Sequence, residues 1–328
     1  MSRVSDEVVA RERERALRIL AVVRAHGARF YREYMSIRES PTQDDAYKAV
    51  LPVGTHVFGP TGFVAPGALA TLADVALASS IRPHIRQRAR TVTVGLTMQF
   101  ISDRPTQAVH ARAEICAVDS HMGLSQCRLT DDQGGLLALA TGLFAIRPVP
   151  DAAPWLPYSR DAAIAHSSVP PLDPSELDAE ERWLLEHLEN SLRSDGPDGP
   201  YANYLGIEWQ ARGMGRSEGI WRLRSHVWNR VTHVHGGAMF GGLAAVALAC
   251  LPDSTKVRVA EQHVQFVRPG QGEALHVKAN VVRQGARLTS VQSAVTDKNG
   301  EVVANALVTL EGIADGEGIR NLRHRNSA

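Results

Sequence analysis

The sequence has no excess of charge of either sign, few aromatic residues and few cysteines. Its 328 residues include 36 Lys and Arg against 35 Asp and Glu, and only 5% are aromatic. This charge balance argues against a protein that binds nucleic acid through a broad basic face. The three cysteines, Cys116, Cys127 and Cys250, show no paired metal spacing, and their odd number suits a reducing compartment. We expect them to be small core residues.

The sequence also lacks a hydrophobic run long enough for a membrane. Its N-terminus is charge-rich from residue 3 and has no apolar signal-peptide core. The longest apolar run, Ala238–Leu251, is too short and too rich in glycine to cross a bilayer. We therefore expect a cytoplasmic protein with no membrane partner.

An internal repeat is present. "TMQFISDRP" resembles "HVQFVRPG", which aligns Phe100 with Phe266, and "RLTDDQGGLLALATG" resembles "AVTDKNGEVVANALV", which aligns Thr130 with Thr296. Both pairs stand 166 positions apart. Two matches at one offset predict a tandem duplication.

Each repeat contains an apolar segment of helical length followed by β-rich segments. The helical segments are Ala65–Ser80 and Gly236–Leu251. The strand segments are "TVTVGLTMQFI", "AVHARAEICAV" and "GLLALATGLFAI", then "VRVAEQHVQFV", "ALHVKANVVR" and "VVANALVTLEG". "DDQGG" and "DKNGE" are typical of hairpin turns. The pattern predicts an α+β chain in which each repeat wraps an antiparallel sheet around one buried helix.

A further helix is expected between the repeats. Asp173 is a candidate N-cap, Pro174 suits the first turn and Glu176 would complete a capping box. Its apolar stripe would be formed by four leucines: Leu177, Leu184, Leu188 and Leu192. Another amphipathic helix is expected over Asp6–Tyr34. The predicted domains are residues 1–150 with this leading helix, a linker with a helix over 151–200, and residues 201–328.

The two apolar helical segments begin differently. The second opens with His235, Gly236 and Gly237, whereas the matching place in the first reads Ala65-Pro66. Conversely, the first helix carries Asp74. Because a carboxylate is costly to bury without a partner, we expect Asp74 to have a function or a local partner.

The His-Gly-Gly helix start, Asn229 six residues before it, the long apolar helix and the "QFVRPG" strand resemble the hotdog-fold acyl-CoA thioesterases of the phenylacetic-acid-degradation type. The resemblance covers about Val53–Pro148 and Tyr204–Gly312. It implies two tandem hotdog domains that form an intrachain pseudo-dimer with active sites at the interface. It also implies an acyl-CoA substrate, no metal or redox cofactor, and pairing of the double unit into a homo-oligomer.

The family's site residues transfer to different repeats. The resemblance implies that the amide of the Gly after the His polarises the thioester carbonyl and that the Asn orients the site, which matches Asn229, His235, Gly236 and Gly237. A carboxylate nine residues after the His would act as base or nucleophile, and a strand hydroxyl would assist. These positions fall on Asp74 and Thr93 in the first repeat, but on Ala244 (or Ala245 with one inserted residue) and Val259 in the second.

Helix geometry explains this division. The first amides of a helix lack intrahelical partners and lie at the positive end of its dipole, which suits a developing oxyanion. Pro66 has no N–H to offer. Nine residues place Asp74 about half a turn round and roughly 13 Å along its own helix. An antiparallel neighbouring helix could instead bring Asp74 to the Gly236 amide, leaving one complete site and one incomplete mate.

Simpler roles remain open for several of these residues. His235 could be structural, the glycines could serve helix entry alone, and threonine is common in strands. Arg268 and Arg104 are candidates for contacts with CoA phosphates, although such residues are usually solvated.

We expect a thioesterase that hydrolyses acyl-CoA to free acid and CoA. The alternatives are an enoyl-CoA hydratase or dehydratase, whose loop with adjacent Asp and His is not found, and a non-catalytic acyl-CoA binding module. Straight, branched and aryl acyl groups all remain open.

Overall fold

The computed structural model describes residues 4–27, 29–40, 45–85, 88–103, 106–149, 169–194 and 196–313. The helices of these ranges are α1 (Asp6–His26), α2 (Phe30–Tyr34), α3 (Pro66–Ile81), α4 (Ala179–Arg193), α5 (Gly199–Leu205) and α6 (Gly236–Leu248). The strands of the first half are β1 (Arg38–Ser40), β2 (Tyr47–Pro52), β3 (Ala89–Phe100), β4 (Ala108–Val118), β5 (Met122–Thr130) and β6 (Leu136–Pro148). Those of the second are β7 (Ile207–Ala211), β8 (Arg216–Arg222), β9 (Val257–Phe266), β10 (Ala274–Gln284), β11 (Leu288–Thr296) and β12 (Val302–Gly312).

The strands form one antiparallel sheet in the order β1-β2-β4-β5-β6-β3-β9-β12-β11-β10-β8-β7. The second half of this order mirrors the first. The halves join where β3 pairs with β9, from Gly95 opposite Gln265 to Gln99 opposite Glu261. Predicted turns join β5 to β6 and β11 to β12, where Gly134 and Gly300 adopt positive φ.

The predicted apolar helices lie in the core. Nearly every residue of α3 and α6 is buried, because each helix packs on the inner face of its own half of the sheet and on the other helix. α3 contacts β2, β4 and β5, and α6 contacts β9, β10, β11 and β12. Their sequences are therefore largely apolar on every face rather than amphipathic.

The outer helices also occur in matching places. α1 and α2 precede β1, and α4 and α5 precede β7. Tyr31 and Tyr34 of α2 stand 170 positions before Tyr201 and Tyr204 of α5, and all four are buried. The stacked Tyr34 and Tyr204 rings lie 4.8 Å apart, so the two short helices meet beside the central pair.

Some sequence predictions need correction. The helix before the second half begins at Ala179, because Asp178 and Glu181 form its capping box; Asp173 caps only a short 3₁₀ turn, Pro174–Glu176. The expected N-terminal helix is interrupted at Gly27, which adopts φ 62° and ends α1.

The sequence patterns also missed strands. β5 was missed because it faces the core with the small residues Gly123, Ser125 and Cys127, and its alternation is therefore weakly hydrophobic. β11 and the outer strands β1, β2, β7 and β8 were missed as well.

No helix in the described part of the chain is both long and apolar enough to span a bilayer. Of the cysteines, Cys127 and Cys250 are buried as expected, whereas Cys116 is exposed.

Candidate active site

The two central helices cross in close antiparallel contact at glycines. A β-carbon on Gly67 would lie 2.5 Å from the Gly241 Cα, and one on Gly237 would lie 2.4 Å from the Thr71 Cα. Neither contact leaves room for a side chain larger than hydrogen. Each helix start therefore lies against the middle of the other helix.

This crossing brings Asp74 to the start of α6. A β-carbon on Gly236 would lie 2.7 Å from Asp74 Oδ2 and 3.2 Å from Asp74 Cγ. The carboxylate of one half is thus adjacent to the first helical residue of the other. A side chain at position 236 would displace the carboxylate, so glycine allows Asp74 to occupy this place.

The Asp74 carboxyl is buried and has one side-chain hydrogen-bond partner among the described residues. Thr93 on β3 donates a hydrogen bond of 2.8 Å to Asp74 Oδ1. Burial raises the pKa of this carboxyl from 3.8 to about 6, and the Thr93 hydrogen bond acts against that rise. Asp74 is consequently ionised at neutral pH, and its proton affinity suits proton transfer near pH 6 to 7.

His235 caps helix α6. Its Nδ1 accepts a hydrogen bond of 3.1 Å from the Gly237 amide, and its backbone has the extended conformation of an N-cap residue. Burial lowers the pKa of His235 to about 4, so the ring is neutral. Because Nδ1 accepts from Gly237, the ring proton lies on Nε2, and Nδ1 cannot donate to Asp74 Oδ2 at 3.8 Å.

The two glycine amides therefore differ. The Gly237 N–H is already bonded to His235, whereas the Gly236 N–H has no acceptor among the described residues. A first-turn amide at the positive end of a 13-residue helix can hold an oxyanion. The available donor is Gly236, and Gly237 contributes close helix packing.

Asn229 and the two arginines have other surroundings. The Asn229 Oδ1 accepts from the amides of Val231 and His233, at 3.0 and 3.1 Å, and so shapes the loop that leads to His235. Arg268 forms an exposed ion pair with Glu301. Arg104 lies outside the described residues.

The equivalent place in the opposite halves has a different composition. Pro66 is the first residue of α3, and the buried Ala244 stands on α6 where α3 carries Asp74. The buried Val259 stands on β9 where β3 carries Thr93. Donor, carboxylate and hydroxyl are all missing there.

Sequence reasoning missed the side chains that hold the helix crossing. The Tyr31 hydroxyl lies 2.7 Å from Thr71 Oγ1 and 2.8 Å from the Tyr201 hydroxyl, and the Tyr31 ring lies 5.2 Å from the His235 ring. The repeated Tyr-x-x-Tyr pattern, 170 positions apart, was the signal that could have found the tyrosines. The described residues contain no group of three His, Cys, Asp or Glu side chains placed to hold a metal.

Comparison with known proteins finds a family model that matches part of the chain and solved structures that share its fold. Residues 224–311, less than half of the chain, match the family model of the acyl-CoA thioesterase N-terminal domain. No curated protein sequence matches the chain significantly.

Three solved structures are similar over most of their length. A protein of unknown function with a hotdog fold from Alicyclobacillus acidocaldarius has a TM-score of 0.55 at 12% identity, covering 86% of this chain and 97% of its own. The TesB protein of Mycobacterium avium subspecies paratuberculosis has a TM-score of 0.54 at 12% identity, with 83% and 95% covered. Acyl-CoA thioesterase II TesB2 of Mycobacterium marinum has a TM-score of 0.50 at 11% identity, with 85% and 97% covered. The chain accordingly has a hotdog fold, in a large antiparallel sheet with central helices, and part of it matches an acyl-CoA thioesterase domain.

Proposed function

We propose that the chain is an acyl-CoA thioesterase with one composite active site between two fused hotdog units. The observation that carries this proposal is the position of the Asp74 carboxylate of the first half beside Gly236 of the second. Further support comes from the Thr93 hydrogen bond to Asp74 and from the match of residues 224–311 to an acyl-CoA thioesterase domain.

The fused arrangement is supported by the mirrored strand order and by the matching helices before each half. In this proposal the units form an intrachain pseudo-dimer about the α3–α6 crossing. Only one of the two equivalent sites works, because Pro66, Ala244 and Val259 occupy the other.

In the proposed reaction the thioester carbonyl oxygen accepts a hydrogen bond from the Gly236 N–H. Ionised Asp74 takes a proton from a water molecule, whose oxygen adds to the carbonyl carbon. The helix amide stabilises the resulting oxyanion. The C–S bond then breaks, the CoA sulfur leaves with the proton held by Asp74, and the carboxylic acid remains.

Asp74 could instead attack the carbonyl carbon directly. This route releases CoA and forms an acyl anhydride on Asp74, which water then hydrolyses. After a single turnover in H₂¹⁸O, label in Asp74 identifies the nucleophile route. The base mechanism puts ¹⁸O only in the acid product, whereas the nucleophile mechanism with water attacking the protein carbonyl leaves ¹⁸O in Asp74.

The test is CoA release from short, medium, long, branched and aryl acyl-CoAs by the wild type, Asp74→Asn and a control, Asp132→Asn. Asp132 is an exposed carboxylate bonded to Thr106, outside the proposed site. We expect turnover of at least one acyl class to fall at least a hundredfold in Asp74→Asn and to be unchanged in the control. The preferred thioester identifies the acyl class.

Other outcomes identify the alternatives. Binding of acyl-CoA without hydrolysis would indicate a binding module and refute the thioesterase. Hydration of an enoyl-CoA without thioester cleavage would indicate a hydratase. Equal hydrolysis by the wild type and Asp74→Asn would refute the composite site.

A further inference from the structure

A chain of buried hydroxyls crosses between the two halves beneath the proposed site. Tyr201 on α5 contacts Tyr31 on α2, and Tyr31 contacts Thr71 on α3, with oxygen separations of 2.8 and 2.7 Å. Thr71 donates a hydrogen bond of 2.7 Å to the Gly67 carbonyl oxygen. The tyrosines and Thr71 are almost completely buried.

The number of hydroxyl hydrogens fixes which group donates and which accepts in each of these hydrogen bonds. Each hydroxyl has one hydrogen, and the Thr71 hydrogen is directed at the Gly67 carbonyl. Thr71 Oγ1 must therefore accept from Tyr31, and Tyr31 must accept from Tyr201. Removing the Thr71 hydroxyl would leave one hydrogen of the Tyr31–Tyr201 pair without an acceptor in a buried position, which is unfavourable.

The hydrogen-bonded hydroxyls contact residues of the proposed site. The Thr71 hydroxyl lies in contact with Gly237: a β-carbon there would be 2.3 Å from Thr71 Oγ1. Thr71 also precedes Asp74 by three residues, so the two side chains project from adjacent turns of α3. On the other helix, the Tyr31 ring lies against His235, the N-cap residue that bonds to the Gly237 amide.

This arrangement does not follow the symmetry of the halves. Tyr31 and Tyr201 occupy matching places, but the place on α6 that matches Thr71 is Gly241, which has no hydroxyl. The hydroxyls are therefore hydrogen-bonded to the helix that carries Asp74. The helix that carries Ala244 has no matching hydroxyl.

We propose that Thr71 and Tyr31 are positioning residues, whose hydrogen bond fixes the start of α6 against α3 and thereby sets the separation of the Asp74 carboxylate from the Gly236 amide. This inference rests on the proposed function for its catalytic consequence. Its structural content, the spacing of Asp74 and Gly236, is independent of the reaction.

The test compares Thr71→Val with Thr71→Ser. Valine keeps the shape and branching of threonine but removes the hydroxyl, whereas serine keeps the hydroxyl. We expect Thr71→Val to lower kcat by about tenfold or more with KM within about twofold, because a shift of about 1 Å at reacting groups has effects of this order. Thr71→Ser should retain kcat within about threefold.

A matched control is Tyr34→Phe. Tyr34 lies on the same short helix and is equally buried, but its hydroxyl makes no hydrogen bond to Tyr31 or Thr71. Loss of this hydroxyl should leave kcat unchanged. A purely structural role of Thr71 would instead lower kcat in both Thr71 variants in proportion to their loss of stability, and this result would overturn the inference.

Crystal structures of both Thr71 variants provide a readout that does not depend on activity. The separation of the Asp74 carboxylate from Gly236 should increase in Thr71→Val and stay unchanged in Thr71→Ser. An unchanged separation in Thr71→Val would overturn the inference even if the wild type hydrolyses no thioester. If the wild type is active, Asp74→Asn is inactive and Thr71→Val is normal, only the positioning role fails.

Discussion

Replacement of Asp74 by Asn is expected to stabilise the fold at neutral and alkaline pH while it removes the proposed activity. The carboxyl is buried beside the start of α6 and has a folded-state pKa of about 6 against 3.8 in its ordinary environment. The unfolded chain therefore ionises at lower pH than the folded protein. As pH rises from 3.8 to about 6, ionisation of Asp74 therefore lowers the free energy of unfolding.

The magnitude follows from the size of this shift. A difference of about two pKa units, at 1.36 kcal/mol per unit, corresponds to about 3 kcal/mol. Below pH 3.8 both states are protonated and Asp74 has no effect. The destabilisation grows as pH rises towards 6 and is complete above it, whereas Asn is neutral throughout.

The assay is urea unfolding of wild type and Asp74→Asn at pH 4 and pH 8, followed by fluorescence of the five tryptophans. The free energy of unfolding gained by the variant should be about 2 to 3 kcal/mol larger at pH 8 than at pH 4. An equal gain at both pH values would refute the reasoning, because Asp74 would then ionise in the folded protein as it does in water.

Asp132→Asn is the matched control with the opposite sign. Hydrogen bonds from Thr106 and the Gln107 amide lower the pKa of Asp132 to about 2. Its carboxylate stabilises the fold above pH 3.8, and this stabilisation is lost only as pH falls through about 2. Asp132→Asn should therefore destabilise the protein at both pH 4 and pH 8.

Three further predictions concern the site. Thr93→Val removes the hydrogen bond that favours ionised Asp74, so the acid limb of the kcat/KM profile should move up from about pH 6 by about one unit; an unmoved limb contradicts this. Gly236→Ala should fold but displace the carboxylate and lower kcat by about a hundredfold, whereas Gly95→Ala, whose β-carbon meets only ordinary contacts at 3.9 Å, should stay active. His235→Ala should lose about 1 kcal/mol of unfolding free energy and His235→Asn should retain it, as urea titrations would measure, because asparagine is a good N-cap; equal losses would mean that the cap is unimportant.

Much of the fold could be predicted from local patterns. The central helices are long, apolar and uninterrupted, and the hairpin turns at Gly134 and Gly300 carry glycine where a positive φ is required. Strand β5 could not be found in this way, because burial against α3 selects small residues on its inner face. The start of α4 was misplaced because Asp173 and Asp178 both precede acidic residues at capping-box spacing.

The candidate site also has features that could be predicted from the sequence and features that could not. The approach of Asp74 to Gly236 could be reasoned from helix geometry, because a helix start and a position nine residues along can meet only across an antiparallel pair. The roles of Thr71, Tyr31 and Tyr201 depend on three elements that are distant in sequence. Similarly, no sequence pattern distinguishes the Gly236 amide from the Gly237 amide, since the difference is a hydrogen bond to His235.

If the chain is a fused pair of units as proposed, the cost of burying a carboxylate gives a physical reason for the loss of the equivalent site. A second buried carboxylate, at position 244, would also destabilise the fold, because Ala244 is buried and a charge there would have no hydroxyl partner at position 259. Without an amide at position 66 that carboxylate would have no reaction to serve, and alanine is the best helix former. Conversely, without the carboxylate, proline is well tolerated at position 66 in the first turn of α3. Loss of either group removes the reason to keep the other, so Pro66 and Ala244 are expected to occur together, and the opposite pair, Asp74 and Gly236, is expected to remain.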